Sequence, residues 1–102
     1  ANVNREIASK LNAGLESVLG TPLISELDGG ITLEYRDYNI TIVIYANIIH
    51  LYCYHQMQQH YDFGIGVESL TEKLSDETFI LCTSWEQAIE QCIEHATTLT
   101  KK

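Results

Sequence analysis

Residues 31–54, ITLEYRDYNITIVIYANIIHLYCY, decide the fold. Apolar side chains recur there at every second position. Ile31, Leu33 and Tyr35 alternate with Thr32 and Glu34, Ile40, Ile42 and Ile44 with Thr41, Val43 and Tyr45, and Ile49, Leu51 and Cys53 with Ile48, His50, Tyr52 and Tyr54. A period of two marks strands with one face on a core, and β-branched and aromatic residues suit that pleated surface. The alternation breaks at Arg36 to Asn39 and again at Asn47, where turns are expected. Upstream, the period of two starts at Leu23, and Asp28-Gly29-Gly30 leads into Ile31 as a hairpin. Three antiparallel strands in succession follow from this reading.

The flanks change period. Ile7, Leu11 and Leu15, followed by Val18 and Leu19, form one stripe of an amphipathic helix over about Asn4 to Leu19. Gly20 can take the left-handed position that ends it, and Pro22 forbids resumption. At the other end Ser84 and Gln87 form a capping box, and Trp85, Ala88, Ile89, Cys92, Ile93, Ala96 and Leu99 keep helical spacing. Between the two, Thr78 to Thr83 alternates Phe79 and Leu81 with Ile80 and Cys82 as a further strand. Gln56 to Gly66 carries no clear period and reads as a loop or short irregular helix, with Gly64-Ile65-Gly66 as a turn. Leu70 and Leu74 allow one or two helical turns. The expected class is α+β: an antiparallel sheet of four to five strands flanked by an N-terminal and a C-terminal amphipathic helix, as one domain over residues 1–102.

Charge narrows the function. Fourteen acidic residues face six basic ones, a net charge of −8. Arg5, Lys10, Lys101 and Lys102 sit at the ends, which leaves Arg36 and Lys73 as the cations of the body. Such a surface repels phosphate backbones and anionic headgroups, so nucleic-acid and membrane partners are not expected. A basic protein surface would be attracted. The three cysteines, Cys53, Cys82 and Cys92, make no C-x-x-C pair, and no basic-then-apolar leader opens the sequence; the expected location is the cytoplasm.

Residues with the chemistry for catalysis do not converge. His50, His55 and His60 recur every five residues and share no helix face, and the tract around Cys53 lacks the paired spacing of a zinc site. Cys53 with the nearby His55 is not expected to form a catalytic dyad. Gly64 and Gly66 make no phosphate loop. No enzyme activity, cofactor or metal is expected. All six tyrosines, by contrast, fall between Tyr35 and Tyr61. Cross-strand packing accounts for some of them, while Tyr45, Tyr52 and Tyr54 are predicted to share one side of the sheet as an aromatic patch, a composition typical of binding hot spots. Glu86, Glu90 and Glu94 form a like-charge row at i,i+4 on the outer face of the last helix.

Leu19-Gly20-Thr21-Pro22-Leu23 closing a leading helix, then Gly30-Ile31-Thr32-Leu33-Glu34, Ile40-Thr41-Ile42-Val43-Ile44, the late strand Thr78-Phe79-Ile80-Leu81 and a closing amphipathic helix together resemble the class I type III secretion chaperones. That resemblance implies a small acidic cytosolic protein that holds an extended segment of a secreted effector without catalysis or ATP, by burying apolar side chains and adding strand edges. It makes Leu15, Val18, Ile42 and Ile44 the candidate groove residues. A homodimer is left open, because the middle helix that builds the dimer interface in such chaperones has no clear counterpart here. The alternative is an immunity or inhibitor protein that neutralises a basic toxin enzyme by direct docking, with Glu86, Glu90, Glu94, Tyr52 and Tyr54 at its interface.

Overall fold

The computed structural model describes residues 3–55, 58–70 and 79–100, with side chains outside 55 and 58–62. Helix α1 (Val3–Leu19) is followed by strands β1 (Leu23–Leu27), β2 (Gly30–Tyr35), β3 (Ile40–Tyr45), β4 (Ile48–His55), β5 (Gln58–Val67) and β6 (Phe79–Cys82), and by helix α2 (Trp85–Leu99). The strands form one sheet in chain order. Every neighbouring pair is antiparallel except β5 and β6, which run parallel. The class is therefore α+β, as the periodicity implies, with six strands in place of four to five.

Both helices lie on the same face of the sheet. Ile7, Leu11, Leu15 and Leu19 of α1 and Ala88, Ile89, Cys92 and Ala96 of α2 bury against Ile31, Leu33, Tyr35, Ile40, Ile42, Ile44, Ile49, Leu51 and Ile65. Of these strand residues, all but Ile65 are the period-two residues of the central stretch, so one continuous core sits between two layers. The helices meet where α1 carries Gly14, whose missing side chain is replaced by Ile93 of α2. No described helix is long and apolar enough to cross a membrane.

Local signals set the ends of the elements. Gly20 at φ +83° accepts the left-handed position after α1, and its N–H donates to Glu16 O at 3.0 Å. Asp28 and Gly29 both have positive φ, the condition for the two-residue turn whose twist matches a hairpin. Ala46 and Asn47 make the same kind of turn between β3 and β4. The turn at Arg36–Tyr38 is a single 3-10 turn closed by Asn39 in the left-handed region. At α2 the Ser84 hydroxyl accepts from Gln87 N–H at 3.2 Å, and Gln87 Oε1 reaches back to Thr83 N–H at 2.8 Å.

One segment departs from its expected form. Residues 58–67 are a strand, with Gly64 and Gly66 inside it where a loop and turn were expected. Phe63, Ile65 and Val67 face the helices, and the intervening glycines leave the pattern without its outward half. Pairing with β4 from Gln58 to Gly66, with one register shift between Cys53 and Tyr54, supplies what the local sequence does not. The expected helical turns around Leu74 lie outside the described residues.

Candidate functional site

Among the described residues, the sheet has one face without a helix and two edge strands, β1 and the shorter β6. Reading the registers across the strands, the uncovered face carries three rows: Leu27, Gly30, Tyr45, Ile48, Gly66 and Leu81; then Ser25, Thr32, Val43, His50, Gly64 and Phe79; then Leu23, Glu34, Thr41 and Tyr52. Tyr54 extends the last row's side of β4. Tyr45 is 51% exposed and Tyr54 39%, whereas Tyr52 is half-buried. The His50 and Tyr52 rings stack with centroids 6.1 Å apart, and Tyr52 and Tyr54 are 6.5 Å apart. The three predicted tyrosines therefore do share a surface, as a line along β4 with Tyr45 beside its start.

The other predicted residues are placed elsewhere. Leu15, Ile42 and Ile44 have no exposed surface, and Val18 is half-buried beside them. They are core, because α1 covers the apolar face of β3, and a ligand could reach them only by displacing that helix. Glu86, Glu90 and Glu94 are exposed on α2, on the far side of the molecule from the tyrosines. The tyrosine patch and the glutamate row are thus separated by the whole thickness of the two layers.

Sequence reasoning missed the edge. All five residues of β1 are exposed, including Leu23 at 50%, Ile24 at 56% and Leu27 at 77%. In a two-residue hairpin the closing pair, here Leu27 and Gly30, exchanges both backbone hydrogen bonds, and the bonded pairs then alternate along the ladder. Ser25 with Thr32 and Leu23 with Glu34 are the next such pairs. The N–H and C=O groups of Ile24 and Glu26 consequently point away from the sheet, with no strand beyond them among the described residues. Edges are usually blunted by lysine, proline or a covering segment. Here Pro22 and Glu26 are the nearest such devices, and Glu26 is engaged by Arg5 Nε at 3.2 Å. Asn4 donates to Gly29 O at 2.8 Å, so the start of α1 braces the hairpin from the helix side. Shallow hollows flank the strand, one of about 290 Å³ lined by Asn4, Arg5, Glu26 and Asp28, the other of about 350 Å³ lined by Leu19, Pro22, Leu23 and Glu34.

The thiols offer little reactivity. Burial pushes Cys92 up to about 12 and Cys82 in the same direction, which keeps both as neutral thiols packed in the core. Among the described residues no three metal-ligating side chains converge. Known protein families, curated proteins and solved structures, each compared with this chain, contain no match to it.

Proposed function

We propose that this chain is a protein-binding module of the secretion-chaperone kind, acting in the cytoplasm without catalysis, that holds an extended segment of another protein as an added strand beside β1. The observation that carries the reading is the β1 edge: four backbone groups of Ile24 and Glu26 directed outward, flanked by exposed Leu23, Ile24 and Leu27. An extended segment docked there satisfies those groups and covers apolar side chains on both faces, with affinity from the main chain and selectivity from alternate side chains. The segment that fits is apolar at the positions beside Leu23 and Leu27.

The inhibitor reading asks the carboxylate row and the tyrosines to grip one folded enzyme. Their placement on opposite sides of the molecule favours the edge instead. The test is amide hydrogen exchange with a short peptide alternating leucine and threonine. Slowed exchange at Ile24 and Glu26 supports strand addition. Binding that leaves those amides unchanged and shifts Glu86, Glu90 and Glu94 would overturn it in favour of docking through α2.

A further inference from the structure

We infer that the segment held beside β1 carries a lysine or arginine at each end of its apolar run, the two cations seated in the hollows at the two ends of the strand. The inference rests on the strand-addition reading and names the chemistry of its guest. One hollow lies at the hairpin end and is lined by Arg5, Glu26, Leu27 and Asp28; the other lies where the chain enters the strand and is lined by Pro22, Leu23, Glu34, Arg36 and Asp37. Each therefore holds an arginine, a glutamate and an aspartate. In both, the arginine is already engaged by the glutamate: Arg5 Nε stands 3.2 Å from Glu26 Oε1, and Arg36 Nε 3.8 Å from Glu34 Oε1. Asp28 and Asp37 are exposed and have no ion-pair partner among the described residues. The uncompensated charge at either end of β1 is thus negative.

Spacing converts that charge into a sequence pattern. The five residues of β1 span about 17 Å at the usual strand rise. A guest strand in register with Leu23–Leu27 places its next residue beside Pro22 at one end and beside Asp28 at the other, so the cations follow the apolar run directly. Pro22 shares its hollow with Asp37, and Leu19, Pro22 and Leu23 give that hollow an apolar wall for the methylene stem of a lysine or arginine whose head reaches the carboxylate. An acidic guest would meet two unpaired aspartates and a chain of net charge −8, whose field slows its approach. Exposed ion pairs contribute little each, so the main-chain bonds supply the affinity and the charges supply selection and encounter rate.

The experiment titrates the full chain with three leucine–threonine peptides of blocked termini, closed at both ends by lysine, by glutamine or by glutamate, and follows amide exchange in each complex. At low ionic strength the lysine peptide should bind about fivefold tighter than the glutamine peptide, and the glutamate peptide weaker than both. High salt should bring the three together. Asp28→Asn and Asp37→Asn should each remove part of the lysine preference and together most of it, asparagine being tolerated at the φ of +51° that Asp28 adopts. Glu86→Gln with Glu90→Gln removes the same charge from α2 and should leave the preference in place. Three peptides of equal affinity that all slow exchange at Ile24 and Glu26 overturn the inference and leave strand addition standing. A lysine preference that survives the paired aspartate substitutions overturns it too, since net charge alone then accounts for the effect. If no peptide slows those amides, strand addition fails and the cation pattern fails with it.

Discussion

The ring of Phe79 on β6 lies across Gly64 on β5, so close that a methyl group at the glycine would stand 2.7 Å from Cδ1 and 3.1 Å from Cε1. The two are register partners in the parallel pair. A bare glycine in a strand loses packing, and an aromatic neighbour laid over it restores that packing. Gly64→Ala is therefore expected to destabilise the fold by about 1 to 3 kcal/mol through overpacking. In a Phe79→Ala background the same change should cost less, with a coupling of at least about 0.5 kcal/mol. Urea denaturation of the four proteins measures it, and equal penalties in both backgrounds would mean that the ring swings aside freely.

Ala46 sits at φ +52°, followed by Asn47 at +63°. Asparagine tolerates the left-handed region, whereas alanine pays for its Cβ there and gains no local hydrogen bond. Ala46→Gly or Ala46→Asn should raise stability by about 0.5 to 1 kcal/mol, since either residue suits the first central position of this turn. A thermal melt settles the direction. An unchanged or lowered midpoint would show that the turn is set by the pairing of Tyr45 with Ile48 and not by its own residues.

Much of this architecture was legible in advance, and the misses have physical causes. Alternation told which side chains of β2, β3 and β4 share a face, because a pleated strand admits only two directions. It could not tell what covers each face. Ile42 and Ile44 read equally well as groove or as core, and only the docking of α1 through Leu11 and Leu15 makes them core. β5 escaped because Gly64 and Gly66 occupy its outward positions, so the pattern shows Phe63, Ile65 and Val67 without an alternating partner. The exposed edge escaped because strand order is a tertiary fact: nothing in Leu23 to Leu27 says that β1 has a neighbour on one side only. The tyrosine line was legible because it needs only the alternation of one strand.

Tyr35 is 1% exposed, and its hydroxyl donates to Asn12 Oδ1 at 3.3 Å. Burial, with smaller contributions from the charges of Cys92 and Glu16, pushes its pKa up to about 12 from 10.0. The folded state thus holds both this phenol and the Cys92 thiol neutral at pH values where the unfolded chain releases their protons. Their contribution is fully present below about 9 and is lost progressively as pH rises toward about 12. The melting temperature should fall across that window. Tyr35→Phe should flatten the decline above pH 10 while lowering stability at neutral pH by about 1 kcal/mol for the lost hydrogen bond. A decline of the same slope in the variant would assign the alkaline transition to other groups.

The alternation inferred for β1 makes a sharper prediction, because two adjacent positions should respond in opposite ways to the same residue. Proline removes one N–H and fixes φ near the extended range, so a strand accepts it only where that N–H faces outward. At Ile24 the N–H points away from β2. Ile24→Pro should leave the hairpin and the melting temperature nearly unchanged, within about 1 kcal/mol, since the ladder keeps all its bonds. At Ser25 the N–H bonds to Thr32. Ser25→Pro breaks that bond and should cost about 3 kcal/mol or more. The two variants also separate stability from binding: Ile24→Pro removes an outward donor and should weaken the leucine–threonine peptide at least tenfold while the protein remains folded. If Ser25→Pro proved the milder substitution, the register of the free edge would be reversed, with Leu23, Ser25 and Leu27 presenting their backbone groups to a partner in place of Ile24 and Glu26.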